Sequence, residues 1–558
     1  TEIEVRQPEP ATVVNRTPIS ATTPGTLPMC ARVSLPVNPN VPPLRMPWQQ
    51  AMHMGILFAA ISLIIQTVGS LLGQHFGYGL FRDELYYIMC GRHLAWGYVD
   101  LAPMAALQAH VSEALFGLKN QALFRIFSVL AGSARVFITG ILVWLFGGRT
   151  MAQVLAMIAV LIAPVYLALD SVLAMNSFES MFWMSCLLAM VWMTRGGSLR
   201  WWIVFGVSGG LGLLNKPSMA FFLFGVLGGL LLTPERQLLR SRWALVAVAL
   251  IVGIATPFMA WQANRHWPMW ELLYKINHDN LNGNLGPLAF LQEQITMFNP
   301  VSIFLTVPGL IWLLTAKSAC RFRWVGIMFL GMLVVMMRAH ALNYYVAPVY
   351  PVLFAAGALA LQEWLSASRK TAWLLPALGS VIAVCGAITL PLVLPVLPPY
   401  TAVHYFAKIT RLIPKSDVPG GSPLLPILAD RLGWHHFVAD VADVYGSLPP
   451  KERAATGIYC DNYGEASAIN IYGPRYGLPN AVSGHQNYFY WGSNGYTGHV
   501  LIVIGWSKQE LQKQFASVQE IERVYNPLAN HFSNRPIYLC RGEKIPLNLY
   551  WPHVKDWY

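Results

Sequence analysis

From residue 52 onward polar residues are so sparse that the chain reads as a succession of apolar runs, at about 52–72, 121–147, 151–168, 176–194, 201–214, 217–232, 243–263, 301–315, 323–337, 344–362 and 372–394. The runs are apolar around the whole helical circumference, not along one stripe, and many approach the roughly 18 to 20 residues a helix needs to cross a bilayer. They predict an all-α polytopic membrane domain of about 11 to 13 spans.

Two stretches break the pattern. Residues 1–48 are rich in Pro, Thr and Asn, have no apolar period, and read as a disordered tail without the charged start or cleavage site of a signal peptide. After residue 395 the composition turns mixed and polar for about 160 residues, enough for one soluble domain. Helical patterns at Trp434–Tyr445 and Ser507–Val518, with strand patterns at Thr456–Cys460, His499–Gly505 and Pro536–Cys540, predict a small α/β domain over 396–558. The membrane domain is then 49–395, with a first outer loop at 73–120.

Charge orients these elements. Only 11% of residues are charged, yet the net charge is +12. The surplus collects in alternate short loops: Arg149; Arg195 and Arg200; Arg236, Arg240 and Arg242; Lys317, Arg321 and Arg323; Arg369 and Lys370. Short basic loops stay cytoplasmic. The N-terminus is therefore expected inside, with the first loop and the C-terminal domain extracytoplasmic, and the basic excess calls for no nucleic-acid partner. Seven cysteines show no C-x-x-C spacing. Cys460 and Cys540 fall in two of the strands, and in an oxidising compartment a disulfide between them is one reading.

Against this apolar background one stretch concentrates chemistry: Phe81-Arg82-Asp83-Glu84-Leu85-Tyr86-Tyr87 through Trp96-Gly97-Tyr98-Val99-Asp100-Leu101-Ala102-Pro103. Charged groups beside lipid are costly, so the stretch is expected to face water and a polar ligand. Its carboxylates can bind a divalent cation or take a proton from an attacking hydroxyl, although acids in a helix's first turn also merely satisfy free amides. Further polar groups stand at the same expected ends of later runs: Asp170, Asn176 and Glu179; Asn215, Lys216 and Ser218; Arg338, His340, Asn343, Tyr344 and Tyr345. Lys216 as a point charge and Arg338 as a fork suit an anionic phosphate ester.

Four segments carry a resemblance: Asp83-Glu84-x-Tyr86-Tyr87; Ala95-Trp96-Gly97-Tyr98-Val99-Asp100 with Pro103; Gly212-Leu213-Leu214-Asn215-Lys216-Pro217-Ser218; and Tyr344-Tyr345-x-x-Pro348-x-Tyr350-Pro351. They resemble the bacterial membrane glycosyltransferases related to dolichyl-phosphate-mannose protein mannosyltransferases and to the lipid A aminoarabinose transferase. The resemblance implies a C-type glycosyltransferase fold in the bacterial inner membrane, using a polyprenyl-phosphate sugar donor and an unidentified extracytoplasmic acceptor. It implies Asp83 as the catalytic carboxylate with Glu84 beside it. Asp100, with Asp83, becomes a candidate ligand for a divalent metal (Mg, Mn, Ca or Zn). Lys216, Arg338, His340, Tyr345 and Arg92 are implied contacts to the donor phosphate or lipid, and Tyr86, Tyr87, Trp96, Tyr98, Asn176 and Glu179 the pocket walls. Leu101-Ala102-Pro103 stands where many relatives have a polar residue and Pro-Pro, which loosens the metal assignment.

No Gly-rich phosphate loop occurs in a strand-turn-helix context, so no nucleotide cofactor is expected. A transporter or flippase of a lipid-linked or small polar substrate is the alternative. Its charges would sit near mid-membrane between related halves, whereas here they cluster at one expected face.

Overall fold

The computed structural model describes residues 42–279, 286–339, 341–409 and 421–557. Residues 1–41, most of the expected tail, lie outside them, as does His340. Each of the eleven apolar runs is helical. In chain order they give α1 (Trp48–His75), α4 (Ile126–Phe146), α5 (Thr150–Leu161) with α6 (Pro164–Asp170), α7 (Met175–Thr194), α8 (Trp202–Asn215), α9 (Met219–Leu231), α10 (Arg242–Asn264), α11 (Ile303–Thr315), α12 (Arg323–Arg338), α13 (Tyr350–Leu365) and α14 (Leu374–Val393). Between α1 and α4 the first loop folds into α2 (Arg82–Arg92) and α3 (Pro103–Phe116).

Among the described residues six helical segments are long and apolar enough to cross a membrane, or nine if each of three bent helix pairs counts as one span. The lower figure has a local cause: proline interrupts the pairs, as at Pro164 between α5 and α6, where the axis bends by 60°. The chain is a multi-pass membrane protein. Small residues bring helices together where side-chain burial gains little over lipid. Thus Gly309 on α11 and Gly357 on α13 lie so close to the partner backbones that a Cβ on either would strike a main-chain carbonyl, of Leu353 and Leu305 respectively.

The bundle has two chemically distinct ends. At one, Arg45 pairs with Glu363 at 3.2 Å, Arg195 donates to the carbonyls of Leu145 and Pro42, and Arg321 forms a two-pronged pair with Glu235. At the other stand the first loop, Asp170, Asn176, Lys216 and Tyr345.

The C-terminal domain is a five-stranded mixed sheet, β1 (Thr456–Cys460), β2 (Ala481–Ser483), β3 (Val500–Ile504), β4 (Phe515–Arg523) and β5 (Pro536–Glu543), in the order β2-β1-β3-β5-β4. β1 runs parallel to β2 and β3, while β5 runs antiparallel to both β3 and β4. Helices α15 (Trp434–Ser447) and α16 (Tyr463–Tyr472) belong to this domain. The expected helix at Ser507–Val518 holds only to Gln514; from Phe515 the chain is an edge strand whose largely exposed residues lack an apolar alternation to mark it. The disulfide does not form. β3 lies between the strands of Cys460 and Cys540, about 10 Å across two strand spacings, and the two side chains join cores on opposite faces of the sheet.

One of those cores is shared with the first loop. Leu85, Tyr86, Ile88 and Met89 of α2 and Ala105, Ala106 and Ala109 of α3 pack in the same buried cluster as Phe437, Val441, Ile458, Ile469 and Ile502. The compositional change near residue 395 is thus no boundary in packing, and all the described residues fall in one compact unit.

Candidate active site

The site begins at the first turn of α2, where the neighbouring acids take different roles. Glu84 closes the helix start by accepting the Phe81 N–H at 2.8 Å. It is fully buried and also receives both prongs of Arg125, at 2.7 and 2.6 Å, and the Leu173 N–H at 2.6 Å. Every lone-pair direction of that carboxylate is engaged, so Glu84 is an anchor tying α2 to α4 and to the loop before α7. The expected share in the catalysis would need an oxygen that this geometry leaves unengaged, and it leaves none.

Asp83, one residue earlier and about 100° around the helix, points elsewhere and stays partly exposed. Both hydrogen bonds it receives from described residues land on Oδ1: the Tyr463 hydroxyl donates at 2.8 Å and Arg82 Nε at 3.3 Å.

Asp100 comes to the same place from the loop before α3. Its Oδ1 accepts the Tyr86 hydroxyl at 2.9 Å, and that hydroxyl in turn accepts the Asn487 N–H at 3.2 Å. Burial pushes the Asp100 carboxyl up to about 7, with the Asp83 charge adding to the rise and the Tyr86 hydrogen bond opposing it. Among the described residues no group of three or more His, Cys, Asp or Glu side chains is placed to share a metal. Asp83 and Asp100 are the residues here that could hold a cation, as oxygen donors of the kind a hard divalent ion takes.

Opposite the carboxylates stands the cationic group. Lys216, buried where α8 ends, donates to Asn176 Oδ1 at 2.9 Å and Glu179 Oε2 at 2.8 Å, and its ammonium sits 4.2 Å from the Tyr345 ring centre. Ser218 donates to the other Glu179 oxygen. The Tyr344 ring centre lies 5.5 Å from the Lys216 ammonium. Arg338 closes α12 exposed, with no ion pair among the described residues. Below it an apolar groove of about 230 Å³ runs between α9 and α12, floored by glycines such as Gly225 and Gly228 and walled by Phe221, Phe224, Met332 and Met336.

Other expected residues lie apart. Arg92 is turned to the surface in a two-pronged pair with Glu113, at 2.7 Å for its closest contact. Trp96 is 60% exposed. Tyr98 is buried, but its hydroxyl spends its bonds inside the loop, donating to the Cys90 carbonyl at 3.0 Å and accepting the Ala95 N–H. Tyr87 is buried, and burial, with the Asp83 and Asp100 charges adding to it, pushes its phenol up. Asp170 pairs with Arg135 at 2.5 Å under the Tyr166 ring, holding α6 to α4.

Sequence reasoning gave no role to Tyr463 or Asn487. Both come from the C-terminal domain, nearly four hundred residues from their partners, and no spacing signal could have joined them.

Residues 100–261 match the family model of dolichyl-phosphate-mannose-protein mannosyltransferases, a span that contains Asp100, Asn176, Glu179 and Lys216. No curated protein sequence matches the chain significantly. Among solved structures, ArnT from Cupriavidus metallidurans bound to undecaprenyl phosphate is similar at a TM-score of 0.56 and 16% identity, over 87% of this chain and 97% of that one. The apo state of the same protein gives 0.56 and 15%, over 88% and 98%. Bundle and C-terminal sheet together are thus arranged as in a protein of nearly equal extent, and the chain has the C-type membrane glycosyltransferase fold.

Proposed function

We propose that the chain is an integral membrane glycosyltransferase that moves a sugar from a polyprenyl-phosphate donor to an acceptor hydroxyl on the extracytoplasmic side. The observation that carries this reading is the Lys216 ammonium, held by Glu179 against the Tyr344 and Tyr345 rings at the bundle end where Asp83 stands, beside an apolar groove. Phe221 of the groove follows Lys216 by little more than a turn, and Met336 precedes Arg338 by two residues. An isoprenoid tail in the groove would therefore put its phosphate within the cationic group. The ArnT structure with undecaprenyl phosphate supports this donor class.

The chemistry follows from the groups present. Asp83 Oδ2 takes the proton of the acceptor hydroxyl while the acceptor's oxygen bonds to the anomeric carbon. The bond from that carbon to the phosphate oxygen breaks, its electron pair leaving with the polyprenyl phosphate, whose charge Lys216 and Arg338 offset. Direct displacement inverts the anomeric centre. A divalent cation held at Asp100 would add electrostatic stabilisation of that phosphate.

The test is incubation of purified, lipid-reconstituted protein with radiolabelled polyprenyl-phosphate sugars and a bacterial envelope extract. Label in a covalent product that is lost with Asp83→Asn supports the reading; label that crosses the membrane without a covalent product identifies a transporter instead.

A further inference from the structure

We infer that Tyr463 of the C-terminal domain is a positioning residue for the catalytic carboxylate: its hydroxyl fixes Asp83 Oδ1 so that Oδ2 faces the acceptor. The inference rests on the proposed transferase reading and assigns the C-terminal domain a part in the chemistry.

Tyr463 is unusually well fixed for a residue that reaches into another domain's site. It opens α16, whose start is closed by Asn462 Oδ1 accepting the N–H groups of Gly464 and Glu465, with Glu465 completing the box. Its own N–H donates to His485 Nδ1 at 3.3 Å, and the His485 ring stacks on the phenol at 4.9 Å. On the other side the phenol stacks on Tyr86, with ring centres 4.6 Å apart and planes 28° apart. Arg82 approaches the same ring, its guanidinium 5.5 Å from the centre. The two stacked tyrosines thus deliver one hydroxyl each to the two carboxylates, Tyr463 to Asp83 and Tyr86 to Asp100.

A carboxylate free to rotate presents either oxygen to the acceptor. With Oδ1 held by a charge-assisted hydrogen bond, the orientation is settled before substrate arrives, and a base held in a productive geometry reacts faster. The hydroxyl exchanges no proton with substrate; it acts through Asp83. The space beside Gly464 agrees with this tight seat, because a Cβ there would meet the Arg82 side chain at 2.6 Å.

The experiment uses full-length protein in vesicles, with the polyprenyl-phosphate sugar found to be the donor, and compares Tyr463→Phe, Tyr488→Phe and Asp83→Asn. Tyr463→Phe keeps the stacked ring and removes only the hydroxyl. Tyr488 lies in the same aromatic column, but its hydroxyl bonds Ser467 and Asn470. The expected result is a fall in kcat of roughly tenfold or more for Tyr463→Phe, with donor KM and thermal midpoint as in the parent, while Tyr488→Phe keeps parental kcat. Unchanged kcat in Tyr463→Phe overturns the inference, and so does a fall in kcat that accompanies an equal loss in Tyr488→Phe or a lowered thermal midpoint, the marks of a merely structural role. Full activity in Asp83→Asn is a separate outcome: it removes the base assignment itself and with it this inference.

Discussion

Asp83 and Glu84 are adjacent, equally charged and equally near the start of a helix, yet their surroundings make opposite demands on a substitution. Removing one partner of a buried, fully hydrogen-bonded pair leaves the other charge uncompensated, at about 3–5 kcal/mol. Glu84→Ala, which strands Arg125, is therefore expected to lower stability by about that amount in chemical or thermal unfolding. A loss of activity at parental stability would mean instead that Glu84 acts in the chemistry. Composition and spacing could mark the pair as functional but could not divide the roles, because which side of α2 meets Arg125 depends on packing with α4. Arg92 and Trp96 share the loop with Asp83 and Asp100, but Arg92 is paired with Glu113 and Trp96 is exposed, a placement set by packing and not by spacing.

At the scale of elements, the apolar runs were legible because lipid tolerates few polar residues, so helices announce themselves by composition alone. The edge strand Phe515–Arg523 was not, since a strand exposed on its faces carries no alternation. Helix crossings are a further element-scale feature. A methyl at Gly357 cannot be accommodated without separating α11 from α13, and Gly357→Ala is expected to lower the thermal midpoint in detergent, while Gly253→Ala, in open space on α10, leaves it unchanged.

The link between β2 and the C-terminus carries a pH dependence. His485 is buried, and loss of hydration holds its imidazole down at about 4, against the opposing pull of Asp556 and with the Arg82 and Lys275 charges reinforcing the fall. In the unfolded chain the ring titrates near 6.5. The fold binds the neutral ring, so this contribution is complete above pH 6.5 and is lost as pH falls from there toward 4, by up to about 3 kcal/mol. His485→Asn keeps an acceptor for the Tyr463 N–H without a titrating ring. Its thermal midpoint is expected to fall less steeply than the parent's between pH 6.5 and 4; parallel curves would assign the acid sensitivity elsewhere.

For the whole molecule, the sequence separates a membrane part from a soluble part at about residue 395, and the structure joins them through one core. Leu85, Tyr86 and Ile88 of the first loop are covered by Phe437, Val441 and Ile469, contacts between residues some 350 or more positions apart that no local pattern encodes. A chain cut after residue 395 would expose this face, remove the Tyr463 hydroxyl from Asp83 and take the Asn487 N–H from the Tyr86 hydroxyl, leaving the Tyr86–Asp100 bond within the loop. The fold class and the acid-aromatic loop were readable from order along the chain; the assembly of the site from loop, span ends and C-terminal domain was not.

Asp83 as the base of a polyprenyl-phosphate-dependent sugar transfer is the role on which the other assignments depend. Its most direct test is the single-turnover rate of Asp83→Asn in lipid vesicles with labelled donor and acceptor. The expected rate is at least about 100-fold below the parent, with donor binding and thermal midpoint retained; a rate within a few-fold of the parent would remove Asp83 from the role of base.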